Sequence, residues 1–580
     1  MAKGTSIALL LRGNAPSTND RNLTEILDLF EIPWTALTVD EARGDNIAAL
    51  TAAHQQFSVL TSAACLGEVL QCNKTAALPA WLAAASSVFV YGFQAADPCR
   101  SLLRKITGDP EAEIHGSDPC PTTVSVTDSF AEMCGPMSGL KIQVERGADT
   151  TLVVRNSHLR SIVGVREGHL FAEFTYSGVR FFADSSLTIV DVRERAASYF
   201  DVKKCFAGAV PVAMYLKWAF RDVCLTSVET SACLIIDDPP LWPRYGLLDF
   251  DELLQLADKL AFATTIAFIP WNWRRTNRDT VAAFRHSSGK LSVCVHGCDH
   301  TGGEFAARSL ELLDRKLKTA RLRMQALRKT TELDHENVMV FPQGAFSPEA
   351  ASALKRNGFI AAVNTEVAPT DDALNETTLA DLWSVAIVRY GNFPIFTRRY
   401  IDHGIENFAF DGILGKPCFI AGHHDLLRGH GSDLAEFLRQ LASLRWKLCW
   451  RPLEEAVCRS YSIQSDGGTI VVKMLAERLL FENGAPTTRR ICVMKREPQP
   501  ASLKGVEANQ DMVAYEYADG HVRVMVDVPP GGAADIRCIY REQLHSTPTS
   551  ESIRYRFGVA IRRYLSELRD NYGHLLRARV

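Results

Sequence analysis

A short apolar run that ends in two adjacent aspartates constrains this chain more than any other feature. The run CLIIDDPP occupies residues 233–240, and its first four residues predict a buried strand that Pro239 and Pro240 terminate. Asp237 and Asp238 then stand at the carboxyl end of that strand. Two neighbouring carboxylates are costly to hold there unless a positive charge lies beside them. We therefore expect a cationic partner at this strand end.

A second strand, later in the chain, supplies candidate partners. Residues 291–295 predict another apolar strand, which runs into His296 and His300. Two imidazoles and a carboxylate are a common ligand set for a catalytic divalent metal that keeps an open position. A helix cap or a solvated turn explains the aspartates alone, and a histidine pair recurs by chance. The pair is not the zinc-protease helix motif, because Gly297 stands where that motif has glutamate. Together, at two strand ends, these residues predict a metal site.

Length, charge and cysteine usage bound the class of protein. The chain has 580 residues, which predicts three or four domains. A net charge of -3, without a basic stripe, predicts no nucleic-acid partner. Fifteen irregularly spaced cysteines fit a reducing compartment better than a disulfide framework. The apolar run before Arg12 is too short for a signal peptide, and residues 75–96 read as a buried helix and strand rather than a membrane span. We expect a soluble cytoplasmic protein.

Changes in periodicity divide the chain and predict an α/β multidomain protein. Residues 229–458 alternate strand and helix, which predicts a barrel or wound sheet with its chemistry at the carboxyl ends of the strands. The flanking regions are predicted as a small flavodoxin-like α/β domain at 1–115, a β-rich subdomain and helical linker at 116–228, a β-sandwich at 459–545 and an amphipathic helix at 546–580. The terminal helix packs on its own domain or contacts an anionic membrane surface peripherally.

Four motifs make the central domain resemble the polysaccharide deacetylases of carbohydrate esterase family 4, also called the NodB-homology domain. The family motif T-F-D-D-G reads IIDDP at 235–239, and H-[ST]-x-x-H reads HGCDH at 296–300. The motif R-x-P-x-G reads VFPQG at 340–344. The last motif, a histidine at a late strand end, reads GHHD at 422–425. The resemblance covers about two fifths of the chain.

This resemblance implies a fold, a cofactor and a set of roles. It implies a distorted (β/α) barrel and a divalent metal, with zinc as the expected ion. The implied roles are general base for Asp237, metal ligand for Asp238, His296 and His300, substrate contact for Pro342 and Gly344, and general acid for His423 or His424. Of the two, we favour His424 because Asp425 follows it. The implied function is metal-dependent removal of an acyl group, expected to be N-acetyl, from a carbohydrate or glycan precursor.

The chain departs from the family at three positions. Val340 replaces the arginine that holds the base in the family, Gly297 replaces serine or threonine, and Pro239 replaces glycine. We expect Arg389, at the end of a strand predicted at 385–388, to substitute for the missing cation. Four aromatic residues are candidates to stack on a sugar, although core packing explains each equally well: Trp271, Trp273, Trp383 and Tyr390.

Two other function classes remain open from the sequence. One is a glycoside hydrolase, or another carbohydrate-processing hydrolase, on a related barrel. The other is a non-catalytic carbohydrate-binding or assembly protein with a relic site. A glycosidase typically uses two carboxylates that face each other across the sugar. Because the metal is expected to occupy Asp238, only Asp237 is left, and this favours the deacylase.

Overall fold

The computed structural model describes residues 6–43, 56–72, 78–116, 122–147, 149–155, 159–466, 469–541 and 552–577. In its N-terminal part an eleven-stranded sheet begins with four parallel strands, Ser6–Arg12, Trp34–Thr38, Gln56–Ser62 and Ser87–Tyr91. The strand Val179–Asp184 pairs with Ser87–Tyr91 and continues the sheet into antiparallel strands. The regions predicted at 1–115 and 116–228 therefore share one sheet, because the edge of the parallel layer is covered by the β-rich segment.

The other elements of this part complete the sheet and its layers. The strands are Glu113–Gly116, Thr122–Val126, Lys141–Val144, Thr150–Val153, Arg160–Val165 and Gly168–Tyr176. The helices are Thr18–Leu29, Val39–Arg43, Ala63–Cys72, Ala80–Ala83, Asp97–Thr107, Ala131–Cys134 and Val202–Ala219. Every cysteine whose side chain the structure describes is free.

The central part is a nine-stranded parallel sheet that nearly closes into a barrel. Its strands are Thr230–Asp237, Thr264–Phe268, Leu291–His296, Val338–Val340, Ala361–Asn364, Ile395–Thr397, Arg399–Tyr400, Cys418–Gly422 and Leu448–Trp450. Ile395–Thr397 and Arg399–Tyr400 form the two ends of the sheet, yet only Arg398 separates them in the chain. The barrel predicted from strand and helix alternation is thus present as a nearly closed sheet.

Strand alternation decides which side chains enter the barrel. Cys233 and Ile235 lie in an apolar cluster with Phe419 and residues from the other strands, inside the sheet. Leu234 and Ile236 point to the surrounding helices. These helices are Phe250–Leu260, Arg278–His286, Leu310–Thr331, Pro348–Arg356, Leu379–Trp383, Ile405–Ile413 and Arg428–Ser443. The helix Leu453–Cys458 instead packs on the inner cluster through Leu453, Ala456 and Val457. Asp237 continues the inward series and stands where the apolar interior ends.

Two β-sheets follow the barrel and enclose one apolar cluster. The first contains Thr226–Ser227, Ser462–Asp466, Thr469–Lys473, Arg489–Arg496, Glu516–Ala518 and His521–Val528, and the second Arg478–Glu482, Leu503–Ala508, Asp511–Val513 and Ala533–Tyr540. The predicted hairpin at Asp519-Gly520 is present, and both turn residues have positive φ, 52° and 73°, as a tight two-residue turn requires.

The terminal helix, Ile553–Arg577, lies against the barrel rather than the β-sheets. Its residues bond to barrel residues such as Tyr245, Arg275 and Asp299. Among the described residues, none of the helices has the length and hydropathy needed to cross a membrane.

Candidate active site and metal centre

Asp237 is held by an arginine that comes from the break in the barrel. Arg398 donates two parallel hydrogen bonds to it, from Nη1 to Oδ1 at 2.7 Å and from Nη2 to Oδ2 at 2.5 Å. Both side chains are almost fully buried, with 1% and 6% of their surface exposed. Burial opposes ionisation of Asp237, but the charge of Arg398 outweighs it and lowers the pKa of the carboxyl. Asp237 is therefore an ionised, fixed carboxylate.

The cation is not the one predicted. Arg389 is partly exposed and its Nε donates to Asp381 at 2.8 Å, so it does not serve Asp237. Arg398 takes this role because closure of the barrel brings residues 395–400 between two distant strands. This also explains why valine is accommodated at position 340, since the guanidinium that holds Asp237 comes from Arg398 on another part of the sheet.

Three predicted metal ligands converge at the mouth of the barrel. One ligand atom from each of Asp238, His296 and His300 lies within 4.8 Å of the other two. Asp238 Oδ1 is 3.6 Å from His296 Nε2 and 3.1 Å from His300 Nε2. Asp238 and His300 both have positive φ, 83° and 56°, an uncommon backbone conformation for such residues. The backbone is thus bent at two positions in a way that brings the three side chains together.

The protonation states of His296 and Asp238 are those that binding of a metal cation requires. His296 Nδ1 is 2.9 Å from the carbonyl oxygen of Val340, which only accepts, so the proton is on Nδ1 and the lone pair of Nε2 faces Asp238. Burial lowers the pKa of His296 to about 4, which keeps the ring neutral. Asp238 Oδ1 is buried without a hydrogen-bond donor in good geometry. The lone pair of His296, the ring nitrogen of His300 and the carboxylate oxygen of Asp238 converge on one space, and these three groups match the donor set of a divalent metal.

Glu304 steadies the histidine loop. Its carboxylate accepts hydrogen bonds from the backbone N–H groups of Cys298, Asp299 and His300, each at 3.1 Å. A side chain at Gly297 would place its Cβ 2.4 Å from Pro342 Cγ and 2.7 Å from Glu304 Oε2. Glycine therefore stands where the family has serine or threonine, because Glu304 and Pro342 already fill that space.

A second group of acidic and sulfur ligands lies beneath this loop but is already satisfied. Cys298, Asp299 and Glu304 lie close enough together to hold a metal. However, Lys316 donates to Glu304 at 2.9 Å, and Arg323 donates to Asp299 at 2.6 Å. Burial raises the pKa of the Cys298 thiol well above its usual value, so the sulfur is not a thiolate ligand. This cluster supports the loop and does not compete for the metal.

The two candidate acid histidines point to different places. The register that pairs Ile235 with Ala421 places His423 beside Asp237, inside the barrel mouth. His423 Nε2 is 3.1 Å from the hydroxyl of Tyr400. His424 instead packs edge-to-face on Tyr245, with ring centroids 5.6 Å apart. The geometry therefore favours His423 over His424, which we preferred from the sequence. Successive side chains of a strand point to opposite sides, so the inward series that includes Ala421 continues to His423.

Most of the residues predicted to contact substrate are buried, and Trp271 lies at the barrel mouth. Tyr390 is buried and its hydroxyl is 2.9 Å from that of Thr377, and Trp383 is a core residue, so neither can stack on a sugar. Pro342 and Gly344 are buried in the loop after Val338–Val340 and shape it rather than face solvent. Trp271 lies at the mouth, where Tyr564 of the terminal helix covers it edge-to-face at 6.1 Å.

The terminal helix covers the mouth of the barrel with its polar side. Arg275 donates two hydrogen bonds to Glu567, at 2.5 and 2.8 Å. The hydroxyl of Tyr245 donates to Asp570 at 2.7 Å. Arg563 is 2% exposed, and its Nε and Nη2 have no hydrogen-bond partner among the described residues. Burial raises the pKa of Asp238, but the neighbouring side chains of His300, His296 and Arg563 together lower it.

Sequence reasoning missed three of these residues. Arg398 carried one signal, since two adjacent arginines, Arg398 and Arg399, follow the apolar residues Ile395 and Phe396. Glu304 carried another, because a carboxylate four residues after His300 can reach back to the loop N–H groups. Arg563 carried none, because nothing local connects the last helix to a site more than two hundred residues earlier.

Comparison with known proteins gives structural matches only. No known sequence family and no curated protein matches the chain. The crystal structure of Agd3, a novel carbohydrate deacetylase, matches at 10% identity and a TM-score of 0.49, over 92% of this chain and 98% of that one. A family 4 carbohydrate esterase from Streptomyces lividans in complex with acetate matches at 14% identity and a TM-score of 0.25, over 38% and 91%. The Bc1960 peptidoglycan N-acetylglucosamine deacetylase has the same identity and TM-score, over 39% and 89%. The solved structures similar to this chain thus include the carbohydrate esterase family 4 that the four motifs predict.

Proposed function

We propose that this protein is a metal-dependent hydrolase that removes an acyl group, expected to be N-acetyl, from an amino-sugar unit of a carbohydrate or glycan precursor. One observation carries the proposal. Next to a carboxylate fixed by Arg398, a second carboxylate and two imidazoles converge on one space at the barrel mouth. Adjacent aspartates with such different partners suit a base and a ligand, respectively.

The side chains divide the work of amide hydrolysis. A divalent cation held by Asp238, His296 and His300 would supply Lewis-acid activation of water and of the substrate carbonyl. Asp237 accepts the proton of the attacking water. Its lowered pKa makes it a weak base, which would suffice because a bound cation would make the water a stronger acid. His423 faces Asp237 and donates a proton to the leaving amine. Arg563 adds positive charge to the same space, where negative charge develops on the carbonyl oxygen.

The reaction class is tested with soluble acetylated amino-sugar oligomers. We expect the zinc-loaded protein to release acetate while the oligomers keep their length, because the site offers one free carboxylate and one histidine. A glycosidase would shorten the chains, since its two carboxylates act on the glycosidic bond. Acetate assay and mass spectrometry of the same sample distinguish the two. Bound metal without either product would favour the binding-protein alternative once other acylated glycans had also been tried.

The two adjacent histidines give a matched pair of variants. His423→Ala should lower kcat by about 100-fold or more, because it removes the proton donor beside Asp237. His424→Ala should change kcat by less than about tenfold, since that ring packs on Tyr245 outside the barrel interior. Steady-state kinetics with equal metal content in both proteins makes the comparison. The reverse order of effects would return the acid role to His424.

A further inference from the structure

The terminal helix is amphipathic, but it buries its polar side and exposes its apolar side, the reverse of an ordinary packed helix. The side chains buried against the barrel are mostly polar and include Arg563, Glu567 and Asp570. The outward side carries seven large apolar side chains that are between 45% and 86% exposed: Ile553, Phe557, Ile561, Tyr564, Leu565, Leu568 and Tyr572. At 100° per residue these seven lie on one continuous face, which we call the outer face. A surface helix normally buries such a face, so the outer face, apart from the contact of Tyr564 with Trp271, lacks its partner.

The charges around the outer face indicate what covers it. Arg554, Arg556 and Arg569 are exposed on the same helix. The two acidic residues between Ile553 and Tyr572 are Glu567 and Asp570, and both are buried against Arg275 and Tyr245. The outer face is therefore apolar, with Arg556 and Arg569 at its borders, Arg554 in its first turn, and no exposed acid along the described side chains of the helix. An isologous dimer would bring two faces of the same positive sign together.

We propose that the outer face docks the protein on an anionic bilayer surface. Large apolar side chains on one side of a helix enter the boundary between headgroups and acyl chains, while arginines at the borders pair with anionic headgroups. The helix does not need to leave the barrel for this, because Glu567 and Asp570 on its polar side are already bonded to Arg275 and Tyr245. This goes beyond the proposed reaction, since it concerns a surface and a partner that hydrolysis itself does not require.

Docking in this orientation has a consequence for the site. On its inner side the same helix contacts the loop of the candidate ligands, since the hydroxyl of Tyr555 donates to Asp299, the neighbour of His300, at 3.0 Å. The bilayer would then lie directly across one helix from the candidate metal centre. A glycan attached to a membrane lipid, or lying along the membrane surface, is brought close to the barrel mouth by this arrangement.

Binding to lipid vesicles tests the proposal without any turnover. The full-length protein should co-sediment with vesicles of phosphatidylcholine and phosphatidylglycerol, and at least about tenfold more weakly with phosphatidylcholine alone. The double variant Phe557→Ser/Leu565→Ser should bind the anionic vesicles at least about tenfold more weakly, because both changed residues lie on the outer face. The control Met512→Ser/Tyr515→Ser changes two other exposed large side chains, 60% and 40% accessible, and should bind like the unchanged protein.

Two further experiments test the role of the arginines and the oligomeric state. Arg554→Glu/Arg556→Glu should abolish the preference for phosphatidylglycerol, and high salt should do the same for the unchanged protein. The proposal is overturned if the unchanged protein binds neither vesicle, or if the Phe557→Ser/Leu565→Ser protein binds as well as the control. It is also overturned if light scattering shows a dimer that this double variant converts to a monomer, because the outer face then belongs to a second copy. Acetate release from soluble oligomers is measured separately, so loss of docking is distinguished from loss of catalysis.

Discussion

Replacing Arg398 by methionine should stop turnover and lower the free energy of unfolding by about 3–5 kcal/mol. The side chain is 1% exposed and makes both of its short hydrogen bonds to Asp237, so its removal leaves a buried carboxylate without a counter-charge. Acetate release measures the loss of turnover, and chemical denaturation measures the loss of unfolding free energy. Arg389→Met, at the residue the sequence favoured, should leave both nearly unchanged because that side chain is partly exposed and pairs with Asp381.

The neighbouring arginine is a matched control. Arg399 is also buried and pairs with Asp411, at 2.7 Å from Nε to Oδ2, away from the metal ligands. Arg399→Met should destabilise the fold by a similar amount but leave the chemistry of folded protein intact. If the two variants lost the same activity per folded molecule, Arg398 would be a fold residue only.

The pH dependence separates the two roles further. With Arg398 present, the pKa of Asp237 is lowered despite burial, so the ion pair stabilises the fold above the unfolded-state pKa and loses this contribution as pH falls through the lower folded value. Without Arg398, the strongest influence that lowers this pKa is lost, so burial shifts the pKa upward. The acidic limb of kcat/KM should therefore move to higher pH in Arg398→Met and stay in place in Arg399→Met. Adding Asp237→Asn to Arg398→Met should restore much of the stability but none of the activity.

The parts of the site that the sequence predicted are those fixed by local order. Asp238 and His296 follow apolar runs that form strands, and parallel strands present their carboxyl ends at one edge of the sheet. The placement of either residue at a strand end can be predicted without knowing its partners elsewhere in the chain. This is why the metal ligands could be proposed from two short motifs.

The parts that were missed depend on register and closure. Arg398 reaches Asp237 only because residues 395–400 join both ends of the sheet. His423 rather than His424 faces inward because Phe419 and Ala421 pair with Cys233 and Ile235, a register that no local pattern reveals.

The terminal helix shows a different limit. Its period was recognised and packing on its own domain was expected, but the side through which it packs was not predicted. The structure buries the polar side because the barrel mouth presents Tyr245, Arg275 and Asp299, which need hydrogen-bond partners. Helix periodicity predicts that one side of a helix is apolar and the other polar. It does not predict which side packs on a polar surface of the same protein.

Asp237→Asn and Asp238→Asn, the same change at adjacent residues, should separate base from ligand. Asp237→Asn should keep about one metal per chain and lose about 100-fold or more in kcat, because an amide cannot take a proton from water. Asp238→Asn should lose the metal itself, because the oxygen that faces His296 and His300 belongs to this carboxylate. Elemental analysis of protein purified without chelator gives the metal content.

The two variants also have different expected effects on the fold. Asp237→Asn leaves Arg398 buried without its counter-ion and should destabilise the protein, whereas Asp238→Asn removes a carboxylate that lacks a well-aligned hydrogen-bond donor. Loss of metal in Asp237→Asn would make Asp237 a ligand, and full activity would remove it from the mechanism. Full metal content in a His296→Ala/His300→Ala protein would place the metal elsewhere. Because Asp237 and Asp238 are consecutive but bonded to different groups, one strand end can hold a fixed base and a metal ligand side by side.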